Sequence, residues 1–250
     1  MRAAGLHDRS IMNIEVLPNP ESVAARAASI IAGHASEAIS TRGKFVIAVS
    51  GGHTPWVMLR RLADAAIQWK AVHLFQVDER VAPAGNPERN LTHLRERLLN
   101  RAPLPPDQLY AMPVEIPDLE AAASQYAETL GRIAGEPPII DLVHLGLGPD
   151  GHTASLVPGD PVLDVDDADV ALSGPYQGRR RMTLTYPILN RARKVLWVVT
   201  GSDKAGMVNR LLDGDRSIPA GRVSNGRTLL LADTAAAAVS ARKEGGGTCV

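Results

Sequence analysis

The sequence predicts an α/β fold: one Rossmann-like domain, doubly wound, in which a mostly parallel sheet carries helices on both faces. Three observations predict it. Short apolar runs alternate with longer segments of helical spacing, the order expected of repeated βαβ units. The runs FVIAV and VLWVV are continuously apolar, as strands buried on both faces must be. The polar stretches SGGHTP, DERVAP, GLGPDGH and TGSDK each follow an apolar run, and in open parallel sheets ligands bind beyond the carboxyl ends of the strands.

The elements follow in order. Residues 14–17 read as the first strand. Residues 20–41, rich in Ala, Ile and Glu, suit a long helix. Residues 44–49 form a buried strand that runs into a tight glycine turn at 50–55, with a helix over 56–66. A strand at 72–77 precedes a helix at 90–100. Apolar residues recur at helical spacing over 119–133, and 139–147 reads as a strand ending in glycines. Arg181 and Thr183 begin a strand-like segment. A strand at 195–200 leads to a helix from Asp203, and a late strand at 228–231 to a last helix starting over 234–240. The stretches 103–107 and 158–169, rich in Pro and Asp, read as loops. With no internal repeat, residues 13–241 form a single domain, and 1–12 and 242–250 are expected to be flexible termini.

Composition narrows the function. The chain has 250 residues, with Lys+Arg and Asp+Glu at 27 each and a formal net charge of zero. That balance gives no reason to expect nucleic acid or an anionic membrane as partner, while a small anionic ligand needs only a few local cations. The single cysteine, Cys249, excludes an internal disulfide. The opening MRAAGLHDRSIM lacks a signal-peptide core, Met12 offers a second start, and no run of about 18 apolar residues exists. The expectation is a cytoplasmic protein, a monomer or small homo-oligomer, with a small-molecule substrate and no nucleic acid or membrane partner.

Four stretches could carry chemistry. In Ser50-Gly51-Gly52-His53-Thr54-Pro55, glycines turn backbone N–H groups toward a ligand and the following helix adds partial positive charge. Ser50 and Thr54 offer hydroxyls, and Pro55 suits a first helical turn. The stretch fits a phosphate cradle and equally a plain glycine turn with a Thr cap. The nucleotide pattern GxxxxGK[ST] is absent. Asp78-Glu79-Arg80, at the end of a strand, reads either as part of a site at the sheet edge or as a solvated turn.

Gly146-Leu147-Gly148-Pro149-Asp150-Gly151-His152 matches GxGxxG. A dinucleotide there would meet the Asp150 carboxylate, and the acidic residues at 164–169 lie in a loop rather than at a second strand end. The preferred reading makes Asp150 and His152 the functional groups. Histidine titrates nearest neutrality and suits general-base work, and a carboxylate can orient its ring. The ordinary alternative is a capping Asp and a packed His. Arg181 and Lys204, each a surface residue if taken alone, would together hold a phosphate at the same sheet edge. His53, His73, His93, His144 and His152 are scattered, without HxH, HExxH or cysteine pairing, so no metal and no cofactor are expected. His144, inside an apolar run, reads as a core residue, and there is no GxSxG elbow for a serine nucleophile.

In order and spacing, VSGGHTP, VDERVAPAGNPERN, DLVHLGLGPDGHTASLVPG and RMTLTYPILNRARKVLWVVTGSDKAGMV resemble the 6-phosphogluconolactonase family, in the superfamily of glucosamine-6-phosphate deaminases. The resemblance covers roughly residues 13 to 240. It implies hydrolysis of 6-phospho-D-glucono-1,5-lactone in the oxidative pentose phosphate pathway, with His152 as catalytic base and Asp150 as its companion. It further implies that Ser50, Gly51, Gly52 and Thr54, with Arg181 and Lys204, meet the sugar phosphate, and that Arg80 contacts substrate with Asp78 beside it. Two departures stand out. Arg89 precedes Asn90 where the family usually carries Ser. Val157 stands where the deaminase branch carries a catalytic glutamate, which favours a lactonase over the alternative of a deaminase or isomerase. A non-catalytic sugar-phosphate-binding protein is the other alternative, against which the Asp150–His152 pairing argues.

Overall fold

The computed structural model describes residues 12–223 and 226–238. Seven strands form the main sheet: β1 (Asn13–Leu17), β2 (Phe45–Val49), β3 (Val72–Gln76), β5 (Leu109–Tyr110), β6 (Leu142–Leu145), β9 (Val195–Val199) and β10 (Thr228–Asp233). Their spatial order is β1-β10-β9-β6-β2-β3-β5, and every neighbouring pair is parallel. Parallel strands need crossovers, and among the described residues there are six α-helices: α1 (Pro20–Arg42), α2 (His53–Ala63), α3 (Asn90–Leu94), α4 (Leu119–Ala134), α5 (Tyr186–Arg191) and α6 (Ala205–Leu212).

Alternation along the strands decides the layers. Phe45, Ile47 and Val49 of β2 pack with Ile31 of α1, Met58 and Leu59 of α2 and Leu94 of α3. Val46 and Ala48 of the same strand pack on the other face, with Tyr126 of α4, Ile188 of α5 and Val208 of α6. β9 divides likewise, with Trp197 on one face and Leu196 and Val198 on the other. Both faces are therefore covered, which is why β2 and β9 are apolar at every position. α1 presents Ala24, Ala27, Ala28, Ala35 and Ala38 to its face. Asn19 caps its start by accepting from the Ser22 N–H at 2.9 Å, and Gly43, at φ 74°, ends it.

Several expectations change. DER is not a turn beyond β3: Asp78–Arg80 is itself a strand, β4, in a second, antiparallel sheet of order β4-β8-β7, with β7 at Val170–Tyr176 and β8 at Arg179–Leu184. All three residues are charged although Asp78 and Glu79 are buried, so no apolar run reveals a strand. α2 starts at His53 rather than 56, so the glycine turn runs straight into its first turn. β6 is shorter than 139–147, because Ile139 to Asp141 only lead into it. Helix 90–100 is α3 continued by a π-helical turn, Arg95–Leu99. Of the last expected helix, Thr234–Ala237 form a turn, and 239–240 lie outside the described residues, as do 1–11, Cys249 and the segment 242–250.

The strand order fixes where a site can sit. From β2 the chain moves outward to β3 and β5. From β6 it moves the other way, to β9 and β10. β2 and β6 are neighbours, so the loops leaving their carboxyl ends part in opposite directions and leave a crevice.

Candidate active site

That crevice holds a cavity of about 440 Å³. Its walls include Ser50, Gly51, Gly52, His53 and Thr54 after β2, Asp78 and Arg80 of β4, Asn90, Gly148 and His152 after β6, Arg181 of β8, and Thr200 and Lys204 after β9. Every expected site residue but one therefore meets in a single space. The exception, Asp150, stands one residue removed, against His152.

The loop after β6 closes on itself. The Gly148 N–H donates to the His152 carbonyl at 2.8 Å, and the Gly151 N–H to the Gly148 carbonyl at 3.0 Å. This folds Asp150 back so that its Oδ1 accepts from the His152 ring Nδ1 at 2.6 Å and from the His152 N–H at 3.1 Å. A β-carbon on Gly148 would collide with the His152 ring and lie 2.7 Å from Asp150 Oδ1, so no other residue fits beneath the pair. Burial pushes the Asp150 carboxyl up, but the His152 N–H and ring and the Tyr176 hydroxyl outweigh it and hold the group below the usual carboxylate range. Asp150 is thus an anion at neutral pH and can only accept. Nδ1 must then carry the ring proton, and Nε2 is the acceptor nitrogen.

The cationic wall comes from register. β4 and β8 pair so that Arg80 stands directly across from Arg181. Like charges in that position repel. Arg181 is 4% exposed. Its ionisation is pushed down by burial and then by Arg80. Among the described residues neither guanidinium has a carboxylate within ion-pair distance. Arg80 bonds the Asn90 side-chain oxygen, and Arg181 donates to the Tyr176 carbonyl at 3.4 Å and to the Gln177 side-chain oxygen at 3.3 Å. Two facing arginines with no carboxylate in ion-pair range are a place for an anion. Lys204 adds a third cation, held by Asp203 at 2.5 Å.

Neighbouring groups set the remaining walls. Asp78 accepts from Ser155 at 2.7 Å and from Asn90 at 3.1 Å, so its carboxylate is tied into the wall. The Thr54 and Thr200 hydroxyls bond each other, joining the start of α2 to the loop after β9. Ser50 donates its hydroxyl to the His144 carbonyl at 3.0 Å and its N–H to His144 Nδ1 at 3.3 Å. His144 is fully buried and burial lowers its pKa to about 3, so it is a neutral strut rather than a proton carrier, in keeping with the core position its apolar run indicates. A β-carbon on Gly51 would collide with Asn90, which explains that glycine. Among the described residues no cluster of His, Cys, Asp or Glu is arranged to hold a metal, and no helix is long and apolar enough to cross a membrane.

Sequence reasoning missed Asn90, Tyr176 and Thr200. Asn90 sits beside the noted Arg89 departure, yet nothing local shows that it reaches across to Arg80 and Gly51. Tyr176 lies in a stretch without periodicity, and only the hairpin carries it to Asp150, 3.1 Å from its hydroxyl.

Fold and cavity together define an α/β enzyme with a histidine–carboxylate pair facing a cationic pocket at the switch point of a parallel sheet. The profile of the glucosamine-6-phosphate isomerase/6-phosphogluconolactonase family matches residues 18–231, and the chain belongs to that family. It is 38% identical over 240 residues to a 6-phosphogluconolactonase of Mycobacterium tuberculosis, covering 90% of this chain and 97% of that one. It is 37% identical over 195 residues to a 6-phosphogluconolactonase of Synechocystis sp., covering 76% of this chain and 81% of that one. Among solved structures, the 6-phosphogluconolactonase of Trypanosoma cruzi superposes with a TM-score of 0.83 at 26% identity, over 93% of this chain and 98% of the other.

Proposed function

We propose that the protein hydrolyses 6-phospho-D-glucono-1,5-lactone to 6-phospho-D-gluconate in the oxidative pentose phosphate pathway, without a metal or cofactor. It works as one cytoplasmic domain over residues 13–241, a monomer or small homo-oligomer. The observation that carries this reading is the His152–Asp150 pair, its Nδ1 proton held by a carboxylate at 2.6 Å, facing the cavity that Arg80, Arg181 and Lys204 line. Neutral His152 takes a proton at Nε2 from water as the water attacks the C1 carbonyl. The imidazolium, steadied by Asp150, returns that proton to the departing ring oxygen. General acid–base help of this kind contributes about 10² to 10⁴-fold. Arg181 and Lys204, with the backbone of Gly51 and Gly52 and the Thr54 hydroxyl, hold the phosphate, so that remote binding orients the lactone. Val157 is buried and apolar where a deaminase would need a carboxylate.

The test is the decay of freshly generated lactone in mildly acidic buffer with EDTA, read against an enzyme-free blank. The wild type accelerates decay and EDTA leaves the rate unchanged. His152→Ala lowers kcat by about 10² to 10⁴-fold with KM little altered, whereas Lys204→Ala chiefly raises KM. Equal, small effects from both variants overturn these roles. No acceleration by the wild type overturns the substrate, and ammonia release from glucosamine 6-phosphate is then the next assay.

A further inference from the structure

We infer that Tyr176 is a positioning residue for the His152–Asp150 pair and that its ring ties that pair to the arginine wall of the cavity. The inference rests on the function proposed above and extends it to a residue without a sequence signature. Tyr176 ends β7 at a two-residue turn in which Gln177 and Gly178 take φ of 52° and 79°. Positive φ at both central residues is the type I′ geometry that suits a tight hairpin. Just before the turn, the register of β7 against β8 shifts between Ser173 and Tyr176. Such irregularities re-aim a side chain, and here the ring swings toward the loop after β6.

Four contacts result, one of them a 3.5 Å approach of the hydroxyl to His152 Nδ1. The Tyr176 hydroxyl donates to Asp150 Oδ2 at 3.1 Å. The ring edge meets the His152 imidazole, centroids 5.2 Å apart at 62°. The ring face carries the Arg181 guanidinium at 4.9 Å. Asp150 therefore divides its oxygens, Oδ1 to the histidine and Oδ2 to the tyrosine, which fixes the carboxylate plane and with it the ring that Nδ1 anchors. Tyr176 keeps its proton at neutral pH, since burial and then the Asp150 charge push its ionisation up.

The electrostatic consequence has a definite sign. A hydroxyl donated to a carboxylate draws off part of its negative charge. Without it, Asp150 presents more charge to His152, imidazolium is favoured, and the base titrates at higher pH. Tyr176→Phe removes only the hydroxyl and keeps the ring under Arg181. Tyr176→Leu removes both. The other charged or titratable groups around the cavity are His53 from α2, Asp78 and Arg80 from β4, Arg181 from β8 and Lys204 after β9. They are common to wild type and variants, as is the Arg179–Glu88 pair beside the hairpin.

The experiment has two arms on the full chain. The first follows the His152 imidazole resonances with pH, assigned by their loss in His152→Ala, and needs no turnover. The second measures kcat and KM for the lactone. Tyr176→Phe raises the His152 titration by roughly a few tenths to one pH unit and lowers kcat by about tenfold, the scale of one hydrogen bond to a charged group, with KM unchanged. Tyr176→Leu repeats this and also raises KM. A wild-type melting temperature for Tyr176→Phe excludes a folding defect. A wild-type titration and kcat in Tyr176→Phe, with lactone hydrolysis intact, overturn the role of Tyr176. The titration shift without lactone hydrolysis by the wild type leaves Tyr176 as the positioning residue and overturns the substrate instead.

Discussion

At the scale of single residues, the space a side chain does not occupy matters as much as what it touches. Gly148 lies under the His152 ring and beside Asp150. Gly148→Ala forces the pair apart while leaving the loop backbone near its present path. A displacement of about 1 Å in a catalytic group costs on the order of 10²-fold. Gly148→Ala is therefore expected to lower kcat by roughly that factor, with a near-native far-UV circular dichroism spectrum. Wild-type kcat in a folded variant would show that the pair tolerates the methyl group. Asp150 and His152 were legible in the sequence because they are two positions apart in one glycine-rich loop. Tyr176 was not, because its approach depends on a hairpin 24 residues further on.

At the scale of elements, the start of α3 accounts for the arginine at position 89. Arg89 stands at the N-cap and its side chain makes no cap hydrogen bond. The capping is done from another strand. Glu79, fully buried, accepts from the N–H groups of Asn90 and Leu91, each at 2.8 Å, from the Arg80 N–H at 2.8 Å and from the Gln76 amide at 2.9 Å. Arg89, equally buried, lies 3.5 Å from it and also pairs with Glu115. The cap thus came free at Arg89, whose side chain offsets the buried charge instead. Glu79 in this way holds both Arg80 and Asn90 in the cavity wall. Glu79→Gln places an amide N–H among these donors and leaves Arg89 without its buried partner. Breaking such a pair costs about 3 to 5 kcal/mol, and urea denaturation would register the loss. A change well below about 1 kcal/mol would mean that the network is solvated in practice.

At the scale of the whole molecule, one sheet serves two cores. Trp197 lies in the core shared by α4, α5 and α6, and Trp69 in the core shared by α1 and α2. Because alternate residues of β2 and β9 belong to opposite cores, neither core can open without exposing the other face of the same strands. Variants retaining only Trp197 or only Trp69 are therefore expected to unfold in urea at the same midpoint, coincident with far-UV circular dichroism. Two separated midpoints would divide residues 13–241 into independent units.

Periodicity and spacing by themselves indicated the buried strands, the long helices, a mostly parallel sheet and the polar loops that follow its strands. These are local properties: an apolar run of five residues or a glycine turn at a helix start reports on its own backbone and burial. The tertiary structure alone decided three things. It made DER a strand, because three residues gain that identity only by pairing with β8. It set Arg80 against Arg181, because register is a relation between segments about a hundred residues apart in the chain. It brought Tyr176 to Asp150 and Glu79 to the start of α3, because hydrogen bonds between distant segments depend on how layers pack and leave no period in the sequence.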